Sequence, residues 1–385
     1  MLKSLSILFP ALLSLALGSA AYGASGTIDF IQYWAAFQQF SNGLNPYDVE
    51  AMFEIQNALG RTDPRALMMW NPPWLLTLLY PILSLEFLHS ANVWLVANLV
   101  MVFLAGFILL NSFNLPNKKL LYSLFPIIFF LPLWYCIWYG QVSVLLMLGI
   151  CVLFFGLKKE SYLALGIGLM LISIKPHIFY LPLLYTFLFV LKKKEFKKWV
   201  HLCWPLGILI LTTLAIMPNV FGFWPKAVLS PESSLHLVDV TQWKVATLIG
   251  FIKAIAKDHY GITLIWPMYL VPLLGVVWFL FFVPKDFKNI EQYFSIVLAV
   301  SFITSPYGWF FDFSVLAPVL SILLLSISEK ECGRTARLSS MAAVVLLQFA
   351  ILFSFKFLDL QHHFFWVPIA VLIVFLWGER RARIN

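Results

Sequence analysis

The chain has 385 residues, 61% of them hydrophobic and only 11% charged, with a net charge of +8 and a mean hydropathy of +0.88. So little charge over such a length excludes a soluble globular core and indicates a polytopic membrane protein. The basic excess is a matter of membrane topology and attraction to anionic lipid, and no nucleic-acid partner is expected.

A span needs about 20 mostly apolar residues to cross about 30 Å of hydrocarbon. Runs near that length recur along the chain and are continuous instead of alternating every second residue, which predicts helices and not a barrel. The first covers 5–22. Lys3 ahead of it and Gly18, Ser19, Ala20 and Ala21 at its end fit either a retained span or a cleaved signal peptide. In both cases the next stretch, 23–90, lies outside. It carries Asp29, Asp48, Glu50, Glu54 and Asp63 in a protein with only 18 acids. Its apolar part, 72–89, contains Pro72, Pro73 and Pro81, which suit a short interfacial or re-entrant helix.

Further spans are predicted at 91–111, 120–138, 141–157, 161–175, 177–191 and 199–217. A second outer loop, 218–261, precedes spans at 262–283, 292–305, 310–327, 339–355 and 364–378. The expectation is therefore an all-α bundle of about twelve transmembrane helices, one integral domain over 1–385, with its amino terminus inside. Lysine and arginine support the arrangement, because they collect in cytoplasmic loops: it puts 18 of them inside, among them Lys192 to Lys198 and the carboxyl-terminal arginines, and 8 outside. Counting 72–89 as a span would export one of those two clusters. Cys136, Cys151, Cys203 and Cys332 have no metal-ligand spacing.

Candidate chemistry lies on the outer side. The plain reading of the loop acids is that they solvate the loop. Asp29 differs, because an acid against a span end is partly desolvated and can be tuned as a base. Tyr33 and Trp34 follow it, and Gly43, Asn45, Pro46, Tyr47 and Asp48 suit a turn between two short amphipathic helices. Gly140 and Gln141 open the fourth span. Lys175, Pro176 and His177 sit at the next outer junction, where a cation either meets an anion or merely snorkels to the surface. Ser305, Pro306, Tyr307, Gly308, Trp309 and Asp312 form a third outer group. There Asp312 either caps a helix or binds a sugar hydroxyl, and Tyr307 and Trp309 either stack on sugars or anchor at the interface.

An ordered set of residues carries a resemblance. Asp29-Phe30 with Tyr33 and Ala35-Ala36, Gly43, Tyr47-Asp48, Pro72-Pro73, Gly140-Gln141, Lys175-Pro176, Ser305-Pro306-Tyr307 and Phe311-Asp312 resemble glycosyltransferase family 87 over roughly residues 27 to 320. That family comprises the polyprenyl-phosphate-mannose-dependent mannosyltransferases of the GT-C superfamily. The resemblance implies a GT-C fold, a polyprenyl-phosphate sugar donor, Asp29 as catalytic base and Lys175 as the phosphate contact. Related members often place a histidine near the third group, where this chain reads Trp309-Phe310-Phe311-Asp312.

A lipid-phosphate sugar is already activated, since its phosphate leaves as an anion once a cation stabilises it. Lys175, with His177 or Arg65, is expected to supply that charge, and Tyr33, Asp48, Gln141, Tyr307, Trp309 and Asp312 to line the substrate. Lys175→Met is expected to spare the fold. No Asp-X-Asp pair occurs, so neither metal nor cofactor is expected, and the reaction is expected to be a single inverting displacement. The expected product is a hexosylated lipid or glycan acceptor, with mannose the natural sugar, made on the periplasmic face of a bacterial inner membrane. The competing reading is a lipid or glycan transporter or flippase. Transporters often show halves matched in hydropathy, and no such halves are visible here.

Overall fold

The computed structural model describes residues 29–116, 119–193, 195–229, 236, 245–284, 286–330, 332–358 and 361–384. The expected first span, and with it the choice between span and signal peptide, lies outside these residues. Among them there is no strand.

The helices are α1 (Phe30–Ser41), α2 (Val49–Ala58), α3 (Trp74–Leu78), α4 (Tyr80–Leu83), α5 (Phe87–Ser112), α6 (Leu120–Ile128), α7 (Leu131–Tyr139), α8 (Ser143–Lys159) and α9 (Tyr162–Ile172). They continue with α10 (Tyr180–Lys193), α11 (Phe196–Ile216), α12 (Val220–Leu229), α13 (Leu248–Tyr260), α14 (Pro267–Phe282) and α15 (Ile290–Ile303). A 3-10 turn, Phe310–Leu316, leads into α16 (Ala317–Glu329), then come α17 (Arg334–Phe357), a second 3-10 turn, Gln361–Phe364, and α18 (Trp366–Ile384).

Five described segments are long and apolar enough to cross a membrane: α5, Lys197–Ile216, Phe310–Glu329, α17 and Gln361–Arg383. The bent pair α6 and α7 makes a sixth if it counts as one span. The expected count of twelve is thus not matched by helix length, because several apolar runs are cut short. The expected span 120–138 breaks by 65° between α6 and α7, with Pro126 inside α6. Pro176 disfavours helix at Lys175, so the polar junction there widens into a turn between Ile172 and Tyr180. The stretch 72–89 yields α3 and α4, of 5 and 4 residues, each with proline at its start, and neither is long enough to cross.

The chain divides into two compact units. The first draws on 1–100, 137–142 and 206–239. In it α1 and α2 flank a turn at Gly43, whose φ of +72° is left-handed, and Asn45 Oδ1 accepts the Tyr47 N–H. Asp48 caps α2 by accepting the Ala51 N–H at 2.9 Å. The loop beyond is pinned by side chains: Gln56 donates to the Leu67 carbonyl at 2.8 Å and accepts the Leu67 N–H at 2.9 Å. The Tyr47 hydroxyl donates to the Asn71 carbonyl at 2.9 Å. Each bond satisfies a backbone group that the irregular chain would otherwise bury unpaired.

The second unit draws on 101–136, 143–205 and 240–385. Its core is the segment Phe310–Glu329, wholly enclosed by protein. In contrast, α14 turns Leu273, Leu274, Val277, Phe281 and Phe282 outward, as a lipid-facing helix does. The helices α8 and α9 form a tight antiparallel hairpin through small residues. A Cβ on Gly168 would lie 2.8 Å from the Leu153 backbone nitrogen, and one on Gly156 the same distance from that of Leu165. Only glycine permits so close an approach. The hairpin brings the start of α8, at Ser143, to the same end as the residues that follow α9, including Lys175.

Candidate functional site

The expected site residues collect into two clusters, one inside each unit. In the first unit, Asp29 immediately precedes α1 and Tyr33 lies one helical turn further on, so both side chains share a face. Opposite them stands Gln141. Its Nε2 donates to Asp29 Oδ2 at 2.6 Å, and its Oε1 accepts the Tyr33 hydroxyl at 2.7 Å. Gln141 is 4% exposed and Tyr33 1%, so the bond between them is sheltered from water, while Asp29 is half-buried.

The local sequence explains how Gln141 arrives there. Helix α7 stops at Tyr139, and Gly140 takes a φ of +69°, a left-handed conformation that costs glycine little. Its carbonyl accepts the Trp94 indole N–H at 2.9 Å. Trp94 in turn stacks on Phe30, with centroids 6.0 Å apart and planes 19° apart. The first residue of α1 and the turn carrying Gln141 are therefore braced by one buried indole.

In the second unit, Asp312 is completely buried. Its Oδ1 receives the Lys175 ammonium at 2.7 Å and the Ser143 hydroxyl. Its Oδ2 accepts the Trp309 backbone N–H at 3.0 Å. Lys175 is itself 6% exposed and lies 5.1 Å from the centroid of the Phe311 ring. Lys175 therefore does not snorkel; it is held inside the protein by a charged partner. Asp312 makes the capping contact that was one of its two expected roles, and both of its oxygens are engaged in the interior.

His177 packs beside this pair, its ring 5.3 Å from that of Tyr307, and its Nε2 is enclosed without a hydrogen-bond partner among the described residues. It lies in the turn between α9 and α10. Burial, reinforced by the neighbouring Lys175 charge, pushes its imidazole from 6.5 down to about 4. At neutral pH an uncharged ring offers hydrogen bonding. The Trp309 indole N–H points at the Tyr307 hydroxyl, and Ser305 ties the turn by donating to the Tyr307 carbonyl at 2.7 Å.

Two expected residues stand apart from these clusters. Asp48 is occupied as the cap of α2. Arg65 lies exposed in the loop after α2, where its own N–H donates to Asp63. The sequence reading missed Ser143 and Trp94. A hydroxyl at the first position of an apolar helix was the available signal for Ser143, since such a group needs a buried partner. Trp94, one aromatic in a long apolar run, carried no signal of its own.

The family model for glycosyltransferase family 87 matches residues 70–306, more than half of the chain. No curated protein and no solved structure matches.

Proposed function

The chain belongs to glycosyltransferase family 87 and is thus a membrane glycosyltransferase, and we propose that it moves a hexose from a polyprenyl-phosphate donor to a lipid or glycan acceptor. Family membership decides between the transferase and the transporter readings. The proposed face is the periplasmic side of a bacterial inner membrane, the side to which the lysine and arginine distribution assigns residues 23–90.

The reaction needs a base for the acceptor hydroxyl and a cation for the departing phosphate. Asp29 is the proposed base. The observation that carries this role is the 2.6 Å bond from the Gln141 amide, which orients a half-buried carboxylate at the start of α1. Lys175 is the proposed phosphate contact. An ammonium has three donors, and with Asp312 taking one at 2.7 Å the others serve an incoming phosphate. Tyr307 and Trp309 offer aromatic faces to the sugar, and His177 a neutral hydrogen bond. The hydroxyl oxygen attacks the anomeric carbon as its proton passes to Asp29. The bond to phosphate breaks on the opposite side, and the configuration inverts. Mannose is the proposed hexose.

Asp29→Asn tests the base. It keeps shape and most hydrogen bonding but cannot accept the proton, so transfer of labelled hexose should drop by about 100-fold or more while donor binding persists. Asp48→Asn is the control. Asparagine caps as well as aspartate, so activity should stay near that of the unaltered protein. Full activity in Asp29→Asn would remove the assignment.

A further inference from the structure

We propose that Gln141 is a positioning residue for the base, and that Tyr33 sets the direction in which its amide points. The proposal rests on Asp29 being the base and deepens that reading. An ionised carboxylate can only accept hydrogen bonds, whereas a glutamine amide has one accepting and one donating end. With Nε2 committed to Asp29 at 2.6 Å, Oε1 must face the hydroxyl 2.7 Å away, and Tyr33 must be the donor. The network runs one way, from the Tyr33 O–H through the Gln141 amide to Asp29, and each member fixes the polarity of the next.

That direction matters chemically. Both hydrogen bonds are donated in the direction of the carboxylate, so the relay stabilises its ionised form and weakens when Asp29 takes a proton. Reversing it would require the amide to rotate and Tyr33 to become an acceptor. The surroundings oppose such rotation: Tyr33 and Gln141 are both buried, and Gly140 beside the amide is anchored by Trp94. The relay therefore keeps Asp29 ready to accept a proton between turnovers and fixes the plane of its carboxylate. Neither Gln141 nor Tyr33 touches the reacting atoms in this scheme. Both had been expected to contact substrate.

The test is the pH dependence of kcat/KM for hexose transfer, compared for the unaltered protein, Gln141→Met, Tyr33→Phe and Asp29→Asn. Gln141→Met keeps the length of the side chain and removes both hydrogen bonds. It should move the acid limb of the profile upward by about one pH unit or more and lower kcat roughly tenfold, with little change in the KM for the donor. Tyr33→Phe frees the amide to turn and should move the limb in the same direction by less. An acid limb unmoved in Gln141→Met, with activity lowered evenly across pH, would reduce Gln141 to a packing role and overturn the proposal. If Gln141→Met does not fold, Tyr33→Phe decides the matter, and an unmoved limb there overturns the relay. Asp29→Asn separates the two levels: full activity in that variant defeats the base assignment itself, whereas an inactive Asp29→Asn beside unshifted Gln141 and Tyr33 variants defeats only the relay.

Discussion

Lys175→Met has a different expected outcome once its partner is known. From the chain alone the change is expected to spare the fold, since methionine keeps the apolar stem. Asp312, however, is wholly enclosed and takes the ammonium at 2.7 Å, and a buried carboxylate stripped of its cation typically costs 3 to 5 kcal/mol. Lys175→Met should accordingly melt well below the unaltered protein in detergent, and the double variant Lys175→Met with Asp312→Asn should recover most of the loss. Equal melting of the unaltered protein and Lys175→Met would mean that the pair is not formed in the folded protein. The residue types at both clusters were legible in the sequence, but their pairing was not. Asp29 and Gln141 are 112 residues apart, and Lys175 and Asp312 137 apart. No local periodicity reports a contact across such a distance. The sequence marks unusual polar residues in apolar surroundings, and only the fold decides whether an acid meets solvent, substrate or a lysine.

At the scale of elements, apolar runs announced where helices form because burial in lipid demands continuous hydrophobicity. They did not announce where helices break, since a proline or a glycine interrupts the backbone without altering mean hydropathy. Hence the bend between α6 and α7 falls inside one expected span, whereas the turn at Pro176 coincides with the expected junction between two spans and is only wider. The hairpin of α8 and α9 carries a sharper expectation. Gly168→Ala would place a Cβ 2.8 Å from the Leu153 backbone nitrogen and 2.9 Å from its Cα, where neither can yield without moving a helix. The cost should be about 1 to 3 kcal/mol, and because the hairpin positions Ser143 and Lys175 at one end, transferase activity should fall as well. Gly207→Ala in α11 is the counterpart, with nothing within 4 Å of the added atom, and it should be neutral or stabilising by up to about 1 kcal/mol. Melting temperatures that fall equally in both would show that general glycine loss, and not close packing, governs the result.

For the whole molecule, charge distribution and family membership together define a membrane glycosyltransferase whose proposed chemistry faces the periplasm. In intact cells, a cysteine replacing Asp63 in an otherwise cysteine-free protein should react with an impermeant maleimide, and one replacing Glu195 should not; both positions are exposed on the protein. Labelling at Glu195 alone would invert the orientation. The central claim is that the sugar comes from a polyprenyl phosphate, and the most direct measurement is donor use by the purified protein. Offered a labelled hexose on polyprenyl phosphate or on a nucleotide diphosphate, the protein should transfer it from the lipid donor alone, releasing polyprenyl phosphate and giving a product of inverted anomeric configuration. Transfer from the nucleotide sugar with none from the lipid donor would contradict the account.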